Sequence, residues 1–215
     1  MSRKLRTLLI IGIMIAALAA VFFAMGGRDR MELISLNRTM ETEDRIRKLK
    51  VGQVVKTLDI RPGQCVADIG AGTGLFTWPM ARAAAPGGIV YAVDINPLLL
   101  KNLDDKAAKL APGNVRTVQA AEADPLIPER VDLIFSCGTI HYIEDQVAYF
   151  RKLRDYLKPG GRIAVIDLEK SHAYGHLISY TPEEQEAWMK SAGFARTQKY
   201  DFLEDFYFVV YALAR

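Results

Sequence analysis

The stretch "VADIGAGTG", from Val66 to Gly74, places three glycines at alternate positions behind a short apolar run that includes one acid. An apolar run bounded by a turn is typical of a strand that is buried on both faces of a sheet. Glycine has no Cβ, so the turn that follows lets the main chain approach a ligand closely. In open α/β sheets, ligands bind where such a turn leaves the carboxyl end of a strand. The stretch therefore predicts a buried strand followed by a ligand-binding loop.

The glycine spacing separates two classes of ligand. A dinucleotide-binding loop has the pattern GxGxxG, with its third glycine three residues after the second. That position is Leu75 here, and Gly70, Gly72 and Gly74 form the pattern GxGxG instead. A nicotinamide-dependent oxidoreductase is therefore an alternative that the spacing disfavours.

Short β-rich runs alternate with helical stretches after the turn at residues 61–63. The runs are "CVADI", "GIVYAVD", "NVRTVQA", "VDLIFS" and "RIAVIDL". Helices are predicted to begin near Leu75, Pro97 and Glu144, and the last of them ends before a predicted turn at "KPGG", residues 158–161. Apolar runs that alternate with helices in this way predict a doubly wound α/β fold with a mostly parallel sheet.

The C-terminal part of the chain breaks this alternation. A helix is predicted from about Thr181 to Ala192, and two strands follow it, "FARTQKYDF" and "FYFVVYALA". Because only a few residues separate these strands, we expect a hairpin and antiparallel pairing at the end of the sheet.

An acid stands at the end of the second predicted strand. Asp94 closes the run "YAVD", 20 residues after Gly74. At this place a carboxylate accepts hydrogen bonds from the ribose hydroxyls of a bound cofactor. The glycine loop and Asp94 together predict a site for a nucleoside.

Four segments together resemble the class I S-adenosylmethionine-dependent methyltransferases, of the small-molecule type. They are "VADIGAGTG", "VYAVDINP", "VDLIFSCGTIHYI" and "LRDYLKPGGRIAVIDL", and the resemblance covers about residues 60 to 213. It implies an α/β, doubly wound, Rossmann-like sheet of seven strands with one antiparallel strand near the C-terminus. It also implies S-adenosyl-L-methionine as the cofactor.

The resemblance implies a role for each segment. In this family the acid of the first strand and the glycine loop hold the methionine part of the cofactor, the acid after the second strand binds the ribose, and the next residue packs on the adenine. An acid after the third strand commonly contacts the adenine amino group, and both Glu122 and Asp124 are candidates, with Glu122 preferred. The residues assigned to cofactor binding are Asp68, Gly70, Ala71, Gly72, Gly74, Asp94, Ile95, Glu122 and Cys137.

All three histidines follow the carboxyl ends of the fourth and fifth predicted strands, where this fold opens toward the substrate. His141 and Tyr142, in "TIHYI", are the candidate catalytic residues and are expected to line the substrate pocket. His172 and His176 lie in residues 169–184, which we interpret as a lid over the acceptor. A polar loop that happens to be aromatic is the alternative.

Two cysteines are too few for a disulfide framework, and no cluster with metal-ligand spacing occurs. Cys65 opens the first predicted strand and Cys137 closes the fourth. At about 3.3 Å per residue the two thiols are then more than ~10 Å apart. We therefore expect two free thiols, no metal site and a reducing compartment.

The 21 residues 7–27 carry no charge and are long enough, at about 1.5 Å per residue, for a helix that spans a bilayer core. A cleaved secretory signal with Ala17-Leu18-Ala19 at its cleavage site is the alternative. We favour a transmembrane anchor over residues 1–27, followed by a helical linker or cap over 28–60 and the methyltransferase domain over 61–215. Within the cap, Thr42 is a predicted helix start. The predicted buried stripe is Ile46, Leu49, Val54, Val55 and Leu58.

The net charge of +3 is concentrated at the N-terminus. Residues 1–30 hold five basic residues and one acid, which leaves −1 for the rest of the chain. Because the rest of the chain is close to neutral, it lacks the excess of positive charge that is typical of a nucleic-acid-binding protein.

The leading hypothesis is thus a membrane-anchored, single-pass methyltransferase that acts on a small and possibly lipid-like acceptor. Its catalytic domain is expected to face the cytoplasm, because S-adenosylmethionine is made there. A non-catalytic, membrane-tethered cofactor-binding module is the second hypothesis.

Overall fold

The computed structural model describes residues 27–110, 113–169 and 180–214. The strands are β1 (Cys65–Ile69), β2 (Ile89–Asp94), β3 (Val115–Gln119), β4 (Val131–Cys137), β5 (Leu157–Leu168), β6 (Phe194–Tyr200) and β7 (Phe206–Leu213). The helices are α1 (Gly27–Met40), α2 (Glu43–Leu49), α3 (Val51–Thr57), α4 (Thr77–Ala84), α5 (Pro97–Leu110), α6 (Gln146–Asp155) and α7 (Pro182–Ser191). One turn of 3₁₀-helix, Ile140–Tyr142, follows β4.

All seven strands form one sheet in the order β3-β2-β1-β4-β5-β7-β6. The neighbours from β3 to β5 pair parallel, whereas β7 is antiparallel to both β5 and β6. This confirms the predicted doubly wound, mostly parallel α/β sheet with its C-terminal hairpin. The seven strands and the antiparallel strand that the family resemblance implied are confirmed as well.

Both faces of the sheet are buried, which explains why its strands are apolar on successive residues. In β4, Ile134 packs into one apolar core, while Leu133 and Phe135 pack into the core on the opposite face. All three side chains are fully buried. A strand with one solvated face would instead alternate polar and apolar residues.

The strand order reverses between β1 and β4, because the chain runs from β1 outward to β3 and then returns to β4 on the other side. The helices that follow these two strands, α4 and α6, pack on opposite faces of the sheet, and we call the place at the carboxyl edge where the chain parts between them the crevice. Ligands of open α/β folds bind in a crevice of this kind.

The predicted turn at "KPGG" is wrong in its position, because residues 158–161 belong to β5. The pairing of β5 with β4 shifts register between Val131 and Leu133, and Gly160 adopts a positive φ of 78°. A bulge thus absorbs the turn-forming residues inside the strand. The predicted start of α6 is close, since Asp145 caps its first turn by accepting from the amide of Ala148.

The predicted helix start at Thr42 is confirmed, because its side chain accepts from the amide of Arg45. Lys50 has a left-handed backbone and divides α2 from α3. Four members of the predicted stripe are buried, namely Leu49, Val54, Val55 and Leu58. Ile46 is 38% exposed, so its predicted burial is wrong. The break at Lys50 changes the helical phase between Ile46 on α2 and Val54 and Val55 on α3, so one continuous stripe does not run through both helices.

The chain divides into two compact units, with the boundary between Thr39 and Met40. The sheet, α2 and α3 all belong to the second unit. Within the described ranges no helix is both long enough and apolar enough to cross a membrane. The predicted transmembrane segment, residues 7–27, lies outside them except for its last residue.

Candidate functional site

The glycine loop is bonded to the end of the neighbouring strand. The amides of Gly70 and Ala71 both donate to the carbonyl of Val93, at 2.8 and 3.0 Å. The amide of Gly72 donates to Oδ2 of Asp94 at 2.8 Å. Three consecutive N–H groups thus point at the carboxyl end of β2, which fixes the loop beside the crevice.

These bonds decide which ligands suit the loop. A phosphate-binding loop presents free backbone N–H groups to the anion. Here the amides of Gly70, Ala71 and Gly72 are used by β2, and that of Gly74 donates to the carbonyl of Ala71 at 2.9 Å. The loop therefore offers close backbone approach rather than an anion cradle, which argues against a pyrophosphate and agrees with the GxGxG spacing.

Asp94 is nearly buried and its orientation is fixed from two sides. It is 9% exposed, and while Oδ2 accepts from Gly72, Oδ1 accepts from the amide of Asn96 at 2.9 Å. Each carboxylate oxygen has two acceptor sites. One acceptor site on each oxygen is left for a ligand, so the carboxylate suits a pair of neighbouring hydroxyls such as those of a ribose.

Asp68 lies at the centre of the sheet, on β1. It is 3% exposed and accepts a hydrogen bond of 2.6 Å from the hydroxyl of Thr77. Burial raises the pKa of Asp68 to about 7, an effect that the Thr77 hydroxyl opposes and the nearby charge of Asp94 reinforces. Asp68 is therefore poised to change its charge when a positively charged group enters the site.

The loops after β1 and β4 touch at the crevice. A Cβ added to Gly70 would lie 2.0 Å from Oγ1 of Thr139, and the backbone there has a φ of +70°. Gly70 therefore needs both its positive φ and its missing side chain. At Gly74 the missing side chain serves packing instead, because an added Cβ would lie 2.5 Å from Nε1 of Trp78 on α4 and 2.7 Å from Cδ2 of Leu103 on α5.

The predicted adenine contacts follow β2 and β3. Ile95 is 59% exposed at the mouth of the crevice, and its carbonyl accepts from Nε2 of Gln119 at 2.6 Å. Glu122 is exposed. Asp124 is already engaged, since its carboxylate accepts from Tyr156 Oη at 2.5 Å and pairs with Lys152 at 3.1 Å. The engagement of Asp124 favours Glu122 as the acid that remains free for a ligand.

Cys137 ends β4 beside Asp68, and burial raises the pKa of its thiol to about 12. The thiol is therefore protonated at neutral pH and acts as a packing group. Arg45, from α2, brings a positive charge to the same place, where its Nη2 lies 3.2 Å from the position of a Cβ on Gly138. Cys137 and Cys65 are both free, as predicted.

His141 is paired with a carboxylate that the sequence analysis did not select. Its Nδ1 lies 3.1 Å from Oδ1 of Asp167, on β5, and the two side chains are 8% and 0% exposed. Asp167 also accepts from Tyr180 Oη at 2.8 Å. The ring of Tyr142 lies with its centroid 4.1 Å from that of His141, tilted by 46°, and Tyr142 is 78% exposed. His172 and His176, with most of the predicted lid, lie outside the described residues.

Sequence reasoning thus missed Arg45, Thr139 and Asp167, and it included Tyr180 only as part of the predicted lid, residues 169–184. Asp167 had a usable signal, because it is the acid near the end of "RIAVIDL", in the position relative to its strand that drew attention to Asp94. The other three carry no local signal, since each reaches the crevice through tertiary packing.

Residues 67–163 match a family described as a methyltransferase domain. The curated ubiquinone/menaquinone biosynthesis C-methyltransferase UbiE of Marinomonas sp. (strain MWYL1) is 35% identical over 127 residues, which are 58% of this chain and 51% of that protein. The UbiE of Vibrio vulnificus (strain YJ016) is 37% identical over 112 residues, 51% of this chain and 43% of that protein. The chain thus spans about half the length of the curated relatives that it matches.

A solved S-adenosylmethionine-dependent methyltransferase from Aquifex aeolicus has a TM-score of 0.75 at 22% identity, covering 82% of this chain and 96% of that one. At this identity the likeness shows the fold alone. The chain is thus similar to methyltransferases in part of its sequence and to an S-adenosylmethionine-dependent methyltransferase in its fold.

The contact between Gly70 and Thr139 is testable by substitution. Gly70→Ala adds a methyl group that clashes with Thr139 and also strains a positive φ, so we expect at least a tenfold weaker affinity for S-adenosylhomocysteine by calorimetry. Gly63→Ala is the matched control, because Gly63 has a φ of +86° but nothing within 4 Å of the added Cβ. The control should lose only the strain energy, about 1–2 kcal/mol of unfolding free energy. Equal losses of affinity in both variants would remove the close contact as the cause.

The raised pKa of Asp68 predicts a pH-dependent stability. Between its ordinary pKa and about 7, the folded chain holds a proton that the unfolded chain has lost, so the Asp68 contribution to stability falls as pH rises through this window. Asp68→Asn keeps an acceptor for Thr77 and cannot ionise. In urea unfolding without cofactor, we expect the free energy of unfolding of the variant, relative to that of the wild type, to rise by on the order of 2 kcal/mol between pH 5 and 8. Asp104→Asn, at an exposed carboxylate on α5, is the control, and a pH-independent difference for Asp68→Asn would contradict the prediction.

Proposed function

We propose that the protein transfers the methyl group of S-adenosylmethionine to a small acceptor. The observation that carries the proposal is the arrangement of Asp94, which fixes the glycine loop through Gly72 and keeps one acceptor site on each oxygen. A nucleoside with two ribose hydroxyls fits this carboxylate, while its neighbouring atoms fit against a loop without side chains.

Methyl transfer requires little of the protein beyond the alignment of the two reactants. The sulfonium of the cofactor is already a good electrophile, so the site must hold a nucleophile in line with the methyl carbon. Alignment of this kind contributes roughly 7–11 kcal/mol of barrier lowering. Asp68, buried next to the loop, supplies a negative charge close to the place where the positively charged cofactor binds.

The exposed aromatic side chain at the acceptor side of the crevice is Tyr142. It is 78% exposed, so its ring offers an aromatic surface to an acceptor. The curated relatives are named for ubiquinone and menaquinone biosynthesis, whose products are lipophilic. We therefore include a lipophilic, ring-containing acceptor in the proposal, with His141 and Tyr142 lining its pocket.

The uncharged segment 7–27 is the basis for a further part of the proposal. We propose that this segment anchors the protein in a membrane as a single span, with the catalytic domain on the cytoplasmic side where S-adenosylmethionine is made. Membrane attachment would bring the crevice to an acceptor that partitions into lipid.

A non-catalytic, cofactor-binding module is the alternative function. Such a module would need the glycine loop and Asp94 just as an enzyme does. It would not need a base beside an acceptor. The pairing of His141 with Asp167 therefore favours the enzyme.

Cofactor binding is tested by Asp94→Asn, which replaces one acceptor oxygen by a donor and removes the charge. Because a hydrogen bond to a charged group contributes about 1.5–3 kcal/mol, we expect a tenfold to hundredfold weaker affinity for S-adenosylhomocysteine in calorimetry. Methyl transfer from labelled cofactor should fall with it. Asp104→Asn leaves the site untouched and should bind like the wild type. No heat of binding with either cofactor form in the wild-type protein would refute the proposed function.

The anchor is tested by adding charge to the segment. Arginine near the centre of a spanning helix costs about 2.5–3.5 kcal/mol per residue, so Ile13→Arg combined with Ala17→Arg should move the full-length chain from the membrane fraction to the soluble fraction. Met31→Arg, at an exposed position after the segment, is the control. A wild-type chain that washes off membranes with salt, or a C-terminal domain that protease removes from outside intact cells, would contradict the anchor and its orientation.

A further inference from the structure

A buried chain of hydrogen bonds lies beside the crevice, on the acceptor side. It begins at His141 in the 3₁₀ turn after β4, passes through Asp167 at the end of β5, and reaches Tyr180 before α7. The three groups come from separate parts of the chain, so the fold and not a local motif assembles them. Asp167 is fully buried, and Tyr180 is 2% exposed.

The carboxylate of Asp167 is held by three donors. Tyr180 Oη donates to Oδ2 at 2.8 Å, the amide of Leu168 donates to Oδ1 at 2.9 Å, and Nδ1 of His141 lies 3.1 Å from Oδ1. Burial raises the pKa of Tyr180, so this hydroxyl stays protonated and remains a donor. A buried carboxylate is costly unless donors surround it, and here they do.

The carboxylate fixes the tautomer of His141. An ionised carboxylate only accepts hydrogen bonds, so Nδ1 must carry the proton in the contact with Asp167. In the neutral imidazole the other nitrogen, Nε2, then has the free lone pair. No residue within 27–110, 113–169 and 180–214 is a hydrogen-bond partner of Nε2. A histidine oriented in this way is prepared to take a proton at Nε2.

The position of the pair relates it to the methyl acceptor. Thr139, two residues before His141, meets Gly70 of the glycine loop at the strand-order reversal. The exposed ring of Tyr142 is tilted by 46° against that of His141, with the centroids 4.1 Å apart, and offers an aromatic surface next to it. A base and an aromatic face therefore stand together at the edge of the crevice.

We propose that Asp167 and Tyr180 are positioning residues that make His141 a general base, and that the acceptor is an aromatic ring bearing an ionisable hydroxyl. This inference rests on the proposed methyl transfer and adds the acceptor class to it. A phenolic hydroxyl has a pKa of about 10, within reach of an imidazole of about 6.5, whereas an aliphatic hydroxyl is far less acidic.

The reaction balances in protons and electrons. Nε2 of His141 takes the hydroxyl proton, and the electron pair released on the acceptor attacks the methyl carbon. The bond from that carbon to sulfur breaks, and its electron pair stays on sulfur, which turns the sulfonium into a neutral thioether. If the ring carbon next to the hydroxyl is the attacking atom, its hydrogen leaves as a proton and the hydroxyl regains its own from His141. In both cases one proton is released in total.

The test compares acceptors that need a base with acceptors that do not. The full-length chain is assayed with labelled S-adenosylmethionine and a series of phenols from unsubstituted phenol to 4-nitrophenol, which is already largely ionised at pH 8.5. Asp167→Asn turns the group that faces Nδ1 into a donor and so favours the wrong tautomer. We expect kcat to fall about 10²–10⁴-fold with phenol and only a few-fold with 4-nitrophenol. The affinity for S-adenosylhomocysteine should stay unchanged.

Two further variants separate positioning from folding. Tyr180→Phe keeps the ring next to Trp188 and removes one donor, so it should show a smaller loss of kcat with the same dependence on phenol acidity. Tyr91→Phe is the matched control, because Tyr91 Oη bonds a carboxylate, Glu129, at 2.5 Å near the amino end of β4. The control should match the wild type with every phenol. Mass spectrometry of the products distinguishes oxygen from ring carbon as the methylated atom.

Three outcomes would overturn the inference. If the kcat of Asp167→Asn and of Tyr180→Phe falls by the same factor with phenol and with 4-nitrophenol, Asp167 and Tyr180 have only a structural role. If the wild type binds S-adenosylhomocysteine but methylates none of the phenols, the acceptor class is wrong while the cofactor proposal stands. If the wild type binds no cofactor at all, the proposed function fails, and this inference fails with it.

Discussion

The attachment of the glycine loop to the end of β2 is the constraint on which the site depends. Three successive amides, those of Gly70, Ala71 and Gly72, donate to Val93 and Asp94. The loop cannot move away from β2 without leaving these donors unpaired, and an unpaired buried amide costs about 1–3 kcal/mol. The same bonds orient Asp94. One set of contacts therefore shapes the loop, directs the carboxylate, and removes the free amides that a pyrophosphate would require.

A second constraint follows where the strand order reverses. The loop after β1 meets the loop after β4 at Gly70 and Thr139, so the segment that carries His141 lies beside the loop predicted to hold the cofactor. On the next strand outward, β5 delivers Asp167 to the same edge. The groups that we propose for the cofactor and for the acceptor thus come from neighbouring strands of one sheet, a scaffold that holds reacting groups in fixed alignment.

Helix α2 and Lys50, which follows it, are tied to the loop of the C-terminal hairpin. Lys48 pairs with Asp205 at 2.6 Å, and Lys50 donates to the carbonyl of Phe202 at 2.6 Å. Arg45, one turn before Lys48 on α2, reaches Gly138 and donates to the carbonyl of Met40. Partly exposed ion pairs stabilise little individually. Their effect is to orient α2, which carries the sequence-distant Arg45 to the crevice.

Residues 60 to 169 and the C-terminal hairpin could be predicted from the sequence, because apolar runs, glycine spacing and short links between strands are local signals of strand, loop and hairpin. Asp68, Asp94 and Gly70 were recognised by the same signals. The exposure of Ile46 and the bulge at residues 158–161 were not, since helical phase and strand register are settled by packing against distant residues.

The hydrogen bonds of Asp167 and Tyr180 could not be predicted from the sequence for a related reason. Sequence alone places an acid near the end of a strand and a tyrosine before a helix, 13 residues apart. A hydrogen bond of 2.8 Å between them, with His141 on the other oxygen, exists only once β4, β5 and α7 have packed. Local chemistry thus determined the fold and the predicted cofactor loop, whereas the network beside the acceptor required three distant segments to meet in a buried space.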